Sequence, residues 1–269
     1  MECSKRSQAD EIIRHFPTDI NTYYEPFVGG ASMLRKLMDS SDVINVKHYV
    51  CSDLNKGLIG LWNAIKNTPN LVSEHYEKLW NELNKDDNKE RKKQFFYQIR
   101  KRYNEEHDPL DFMFIMRTTT NGMPRYNDKG EFNNSFHVTR NGIIHSKLYN
   151  IINEWCVLLN KYDVEFRNCN FTDIIPKEGD FIYLDPPYAN TKGMYFGNFN
   201  QETLFNYIRE LKCPYLMSYD GISGNEDNTF EVPVDLYKEH LYIKSGNSSF
   251  RRVIGKSNDS IVYESLYLG

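Results

Sequence analysis

The tightest constraint on the fold is a strand, glycine turn, helix, strand, helix run in the first quarter of the chain. Tyr23, Tyr24, Phe27 and Val28 read as a strand, Gly29 and Gly30 as a tight exit, and Ser32 to Met38 as a helix. A second strand, His48 to Ser52, ends in Asp53, and Leu54 to Lys66 is helical in pattern. Short apolar runs alternating with helical periodicity belong to parallel sheets, whose strands need crossover connections. Ahead of this run, Ala9, Ile12, Ile13 and Phe16 recur at helical spacing and stop at Pro17, which predicts a short opening helix.

From about Pro69 to Lys161 the pattern changes to long charged helices, broken by a loop-rich stretch from Thr118 to Asn141 dense in Asn, Gly, Thr and Arg. This reads as an inserted domain. Strand signals return at Val164 to Arg167 and Asp180 to Leu184, followed by a helix from Gln201 to Leu211 and a strand at Tyr215 to Ser218. Alternation over Leu236 to Ile243 and Ile261 to Leu268 predicts antiparallel edge strands. The expected architecture is α/β, with one domain built from residues 1–66 and 162–269 and a mostly helical insert at 67–161.

Composition narrows the function. No stretch approaches the ~18 consecutive apolar residues of a membrane helix, and Met1 is followed at once by charge rather than by an apolar leader, so a soluble, cytoplasmic chain is expected. The five cysteines form no C-x-x-C pair, which implies neither zinc nor a disulfide framework. A net charge of −4 argues little for a nucleic-acid partner, but its distribution argues more. Residues 85–102 hold eight basic residues against three acids, 117–147 five against two, and 244–256 four against none. Solvated helix faces explain the first island; the other two are interleaved with Asn, Tyr, Phe and His.

In an open parallel sheet, ligands sit beyond the carboxyl ends of the strands. Three loops leave such ends. In Glu25-Pro26-Phe27-Val28-Gly29-Gly30-Ala31-Ser32, adjacent glycines let the backbone approach a ligand, although a simple turn would also use them. Asp53 is placed either to accept hydrogen bonds from a ribose diol or to cap a helix. Asp185-Pro186-Pro187-Tyr188 follows the apolar strand Phe181 to Leu184. Its prolines donate no backbone hydrogen bonds, so the Asp185 carboxylate and the Pro186 carbonyl form a fixed acceptor pair. That pair suits an exocyclic amino group, with Tyr188 stacked on the ring.

These segments, in this order, resemble the Dam-type, alpha-class DNA adenine-N6 methyltransferases over nearly the whole chain. Pro26-Phe27-Val28-Gly29-Gly30 resembles the family's S-adenosylmethionine loop, Asp53 its ribose acid, and Asp185-Pro186-Pro187-Tyr188 its catalytic tetrapeptide. Arg117-Thr118-Thr119-Thr120-Asn121-Gly122-Met123-Pro124-Arg125-Tyr126-Asn127, continuing through Gly130-Glu131-Phe132-Asn133, resembles its DNA-contacting loop. The family's Gly-Gly-Lys element corresponds to Cys3-Ser4-Lys5, and Thr118 to Thr120 stand where Dam enzymes commonly carry an aromatic.

The resemblance implies a Rossmann-like methyltransferase fold with an inserted target-recognition domain. It implies cofactor contacts from Lys5, Pro26, Phe27, Gly29, Gly30, Asp53 and Asp185, and DNA contacts from Arg117, Asn121, Arg125, Tyr126, Asn127, Asn133 and Arg140. Asn121 is the candidate for phosphate or base-flipping contacts and Arg125 for reading a guanine edge. The implied reaction is site-specific methylation of adenine N6 in double-stranded DNA after base flipping, as in restriction-modification. It would yield S-adenosylhomocysteine, use no metal and no membrane, and run in a monomer or weak dimer of bacterial or phage origin. Cytosine N4 or an adenine in RNA is the alternative acceptor. A non-catalytic nucleic-acid-binding module is the alternative class, and the altered Cys3-Ser4-Lys5 element is its support.

Overall fold

The computed structural model describes residues 5, 8–122, 124–139, 141–187, 199–223, 226–245 and 262–269. In chain order its elements are α1 (Ala9–Ile12), β1 (Asp19–Glu25), α2 (Ser32–Asp39), β2 (Asn45–Asp53), α3 (Lys56–Asn67), α4 (Pro69–Asn84), α5 (Lys89–Glu106), α6 (Pro109–Thr118) and α7 (His145–Lys161). Then follow β3 (Glu165–Asn168), β4 (Phe181–Leu184), α8 (Gln201–Glu210), β5 (Tyr215–Ser223), β6 (Glu226–Asp227), β7 (Glu239–Ser245) and β8 (Val262–Leu268). The chain divides into two compact units, one built mainly from Asp53–Asn168, the other from Glu2–Ser52, Cys169–Lys192 and Phe199–Gly269.

The second unit is organised by a sheet with strand order β2-β1-β4-β5-β8-β7. The first four of these strands are parallel, while β8 runs antiparallel to both β5 and β7. All four residues of β4 are buried, as a central parallel strand covered on both faces requires. The strand expected at Tyr23 to Val28 instead spans Asp19 to Glu25, because Pro26 has no N–H to extend the ladder. Phe27 and Val28 belong to the turn, where the Val28 N–H donates to the Ser52 carbonyl at 3.0 Å. The opening helix is shorter than its spacing suggests, tightening after Ile12 into a 3-10 turn over Ile13–His15. Strand β5 is longer than expected and crosses an irregularity between Tyr219 and Ile222. A side chain at Gly221 would collide there with the Tyr263 carbonyl on β8.

The first unit is a helical cluster with an aromatic core. Helix α3 packs on α6 and α7, α4 on the same pair, and α5 on α6. Helix α6 is buried on most of its surface, through Phe112, Met113, Phe114 and Ile115, so it forms the centre of the cluster. Trp62 on α3 stacks on Phe166 of β3, with centroids 5.6 Å apart and planes at 7°. Asp111, fully buried on α6, accepts two hydrogen bonds from Arg102 and lies 2.8 Å from His75 Nε2. Burial pushes its carboxyl up, but His75 and Arg102 outweigh that and hold it below the usual carboxylate range.

Candidate active site

Strand β4 delivers Asp185 to its carboxyl end, and Pro186, buried, stiffens the chain that leaves it. The Asp185 Oδ1 lies 3.2 Å from the Lys5 Nζ, and the same ammonium pairs with Glu264 on β8. Lys5 is almost wholly buried, with its side chain 6% exposed. Burial disfavours its charge, but the two carboxylates prevail and raise its pKa above the ordinary lysine value. Lys5 thus meets Asp185 directly. Beneath this group the Tyr183 hydroxyl and Ser218 Oγ share a buried hydrogen bond of 2.7 Å. Tyr188 lies outside the described residues. Glu264 escaped the sequence reading, its only signal being a lone acid in the apolar alternation of β8.

A second carboxyl, Glu25, ends β1 just before Pro26 and is 3% exposed. It accepts a hydrogen bond from the Tyr23 hydroxyl at 2.8 Å and one from the Leu34 N–H on α2. Burial above all, with the charge of Asp185 adding to it, pushes its pKa up to about 8. Glu25 is therefore mostly protonated at pH 7, while Asp185 and Glu264 share the Lys5 ammonium. Beyond Glu25, Gly29 has φ of +44° and Ala31 of +56°. A side chain at Gly29 would meet no heavy atom nearer than the Phe27 carbonyl at 3.9 Å, so open space adjoins this backbone. The Phe27 ring packs at 5.3 Å on Phe171 and at 6.0 Å on Phe199. An aromatic floor beside an open glycine turn fits the nucleoside of S-adenosylmethionine.

In the other unit, Asp53 ends β2, and its Oδ1 accepts from the Asn55 N–H at 2.9 Å. The helix cap is Asn55 itself, whose side chain accepts from the Leu58 N–H, so Asp53 does not serve as the cap. The Asn55 Nδ2 donates to the Tyr126 hydroxyl at 2.6 Å. Asn168 Nδ2 donates to the Asp53 and Leu54 carbonyls, both at 3.0 Å.

The stretch predicted to touch DNA is a pinned loop. Thr119 bridges to Phe136 and Tyr126 to Phe132. The Thr119 and Thr120 hydroxyls both donate to the Ser135 carbonyl. Asn134, buried, accepts from the Arg125 N–H at 2.5 Å, and Asn133 N–H donates to the Arg125 carbonyl. Helix α5 holds the loop from outside: Arg100 donates to the Asn134 carbonyl at 3.0 Å, and Asn104 bonds both backbone groups of Phe132. Arg91 likewise bonds Asp86 and the Glu82 and Leu83 carbonyls, so much of the 85–102 basic island is occupied within the fold.

Of the residues predicted to contact DNA, Arg125 and Asn133 present exposed side chains and Arg117 is half-buried on α6. Asn127 is engaged in its own turn, accepting from the Lys129 and Glu131 N–H groups and donating to Glu131 Oε2. Tyr126 is half-buried against Phe132, and burial pushes its phenol well up. The Asn121 side chain, Arg140 and most of the 244–256 island lie outside the described residues. Among the described residues, His75, Asp108 and Asp111 stand close enough to suggest a metal site, but the Arg102 fork already takes both Asp111 oxygens.

Four parallel strands thus set the Asp185-Pro186-Pro187 loop at the end of β4 and the Gly29 turn after the end of its neighbour β1. The chain belongs to the D12 class N6 adenine-specific DNA methyltransferases, whose family pattern matches residues 4–239. It is similar to the modification methylase StsI of Streptococcus sanguinis, 29% identical over 78% of this chain and 31% of that protein. It is also similar to the type II methyltransferase M.MjaIII of Methanocaldococcus jannaschii, 31% identical over 63% of this chain and 59% of that one. These alignments take in less than two thirds of either relative. A DNA adenine methylase of Serratia marcescens is 28% identical over 92% of this chain and 90% of its own length. No helix among the described residues is long and apolar enough to cross a membrane.

Proposed function

We propose that this chain transfers a methyl group from S-adenosylmethionine to adenine N6 in double-stranded DNA, after swinging the adenine out of the duplex. The observation that carries the reading is the Asp185 carboxylate, fixed by Lys5 at the end of β4 and followed by two prolines. Flipping costs a few kcal/mol, which hydrogen bonds and stacking in the pocket offset. Tyr188 supplies the stacking face; base–aromatic contacts contribute about 1–3 kcal/mol. The Asp185 carboxylate and Pro186 carbonyl hold the two amino hydrogens. Their pull draws the nitrogen toward tetrahedral geometry, where its lone pair leaves conjugation with the ring and can bond the methyl carbon as the carbon–sulfur bond breaks, one amino proton then passing to Asp185 or to solvent. Positioning does most of the catalytic work.

S-adenosylmethionine supplies, when bound, an electrophilic methyl on a sulfonium. Pro26, Phe27, Gly29 and Gly30 are the residues that would hold it, and by the family resemblance Asp53 would accept hydrogen bonds from its ribose hydroxyls. Protonated Glu25 adds no negative charge on that side, and the aromatic floor is apolar, which suits a step in which the positive charge of the sulfonium is spread over donor and acceptor. Arg125, exposed on a pinned loop, reads a guanine edge; by the family resemblance Asn121 takes a phosphate or base-flipping contact, and Arg117, Asn133 and Arg140 are further DNA contacts. Replacing Asp185 by Ala is expected to abolish methyl transfer while S-adenosylhomocysteine still binds, and full activity in that variant would refute the assignment. Digesting the methylated DNA to nucleosides separates N6-methyladenine from N4-methylcytosine.

A further inference from the structure

Asp53 and the Arg125 loop are joined by a continuous polar string inside one compact unit. The Asn55 N–H donates to Asp53 Oδ1 at 2.9 Å, and the Asn55 amide donates to the Tyr126 hydroxyl at 2.6 Å. The Tyr126 hydroxyl also bonds the Tyr103 hydroxyl of α5. Space for that contact is made by Gly57 in the first turn of α3, where any side chain would collide with the Tyr103 hydroxyl. Tyr126 adjoins Arg125 and pairs with Phe132 across the loop, so its position sets the backbone that carries the arginine.

This string spends a half-buried phenol, an amide and a glycine on a link that packing alone does not need. An apolar ring would fill the space against Phe132 equally well. A buried polar chain is instead sensitive to both its ends, because a shift of one partner leaves the next unsatisfied. We propose that the Tyr126–Asn55 hydrogen bond is a positioning contact through which ligand binding at Asp53 orders the Arg125 recognition loop. The inference rests on the ribose role of Asp53 given above. Asn55 cannot follow Asp53 without moving its amide, and the amide cannot move without drawing Tyr126. Cofactor binding would then prepare the loop for DNA before any DNA arrives.

The test is amide hydrogen exchange read by mass spectrometry on the whole chain, with S-adenosylhomocysteine as the probe and calorimetry to measure its binding. In the unaltered protein, saturation with the probe is expected to slow exchange both at 53–58 and in the loop at 124–136. The loop effect should be about fivefold, the weight of one net hydrogen bond. Tyr126→Phe, which keeps the ring, is expected to retain probe binding and protection at 53–58 while losing the loop protection. Asn55→Ser, which keeps a helix-capping oxygen but removes the amide donor, breaks the link from the other side and should do the same. Tyr103→Phe leaves the Asn55 contact in place and should retain loop protection. Undiminished loop protection in both Tyr126→Phe and Asn55→Ser overturns the inference, as does its absence in the unaltered, probe-bound protein. Failure of the unaltered protein to bind the probe instead overturns the cofactor reading.

Discussion

Glu25 offers a quantitative test of the chemistry around the glycine turn. Its carboxyl titrates near 4.5 when exposed and at about 8 in the fold, where burial and the neighbouring Asp185 disfavour its charge. A raised carboxyl pKa means that the folded state holds a proton which the unfolded state has released. The contribution of Glu25 to stability is therefore highest below about pH 4.5 and declines as pH rises toward 8, where the folded group also ionises. At pH 7 the accumulated penalty is about 3 kcal/mol, from roughly 1.4 kcal/mol per pKa unit. Glu25→Gln keeps the shape and an acceptor for the Tyr23 hydroxyl but cannot ionise. Urea denaturation at intervals from pH 5 to 9 should give a stability difference, variant minus parent, that grows by several kcal/mol as pH rises and levels off above 8. Taking the difference cancels histidines and other groups common to both proteins. Parallel curves for parent and variant across this range would show that Glu25 is ionised in the fold and would refute the reasoning.

Other outcomes follow from the same kind of argument. Lys5→Met leaves Asp185 and Glu264 without their shared cation and should cost about 3 kcal/mol in denaturant unfolding, with Lys5→Met/Glu264→Gln recovering a large part of it. In the helical unit, Arg102→Met strips the fork from fully buried Asp111 and should cost a similar ~3 kcal/mol, with a lower thermal midpoint. Because the Asp111 carboxyl is held below its usual range, its contribution is full above about pH 4 and lost on acidification. Arg125→Ala should weaken specific duplex binding by ~1–3 kcal/mol and relax discrimination at one guanine, read by titration against single-base variants of the target.

The parallel sheet was legible because its strands are apolar runs set between helical stretches, and the Asp185 loop because an acid, two prolines and an aromatic follow such a run. Phe27 and Val28 misled for a physical reason: their apolarity serves the floor with Phe171 and Phe199, not a strand that Pro26 has already ended. At Asp53 the sequence offered two roles for one carboxylate, and the neighbouring Asn55 proved to be the cap. Asn104, Asn134 and Tyr103 left no local mark, since each acts on a loop distant in sequence. The basic island at 85–102 looked like surface charge, yet Arg100 and Arg102 hold a loop and a buried acid. Pattern records which faces are apolar; it does not record which polar groups meet across the fold.

The Lys5 cluster ties the opening residues to a strand 259 positions later. While a ribosome still holds β8, the nascent chain can pair β1, β2, β4 and β5, yet the lysine beside Asp185 lacks its second carboxylate and β5 lacks its antiparallel neighbour. Lys5 is therefore shared by two carboxylates only once β8 has joined the sheet beside β5.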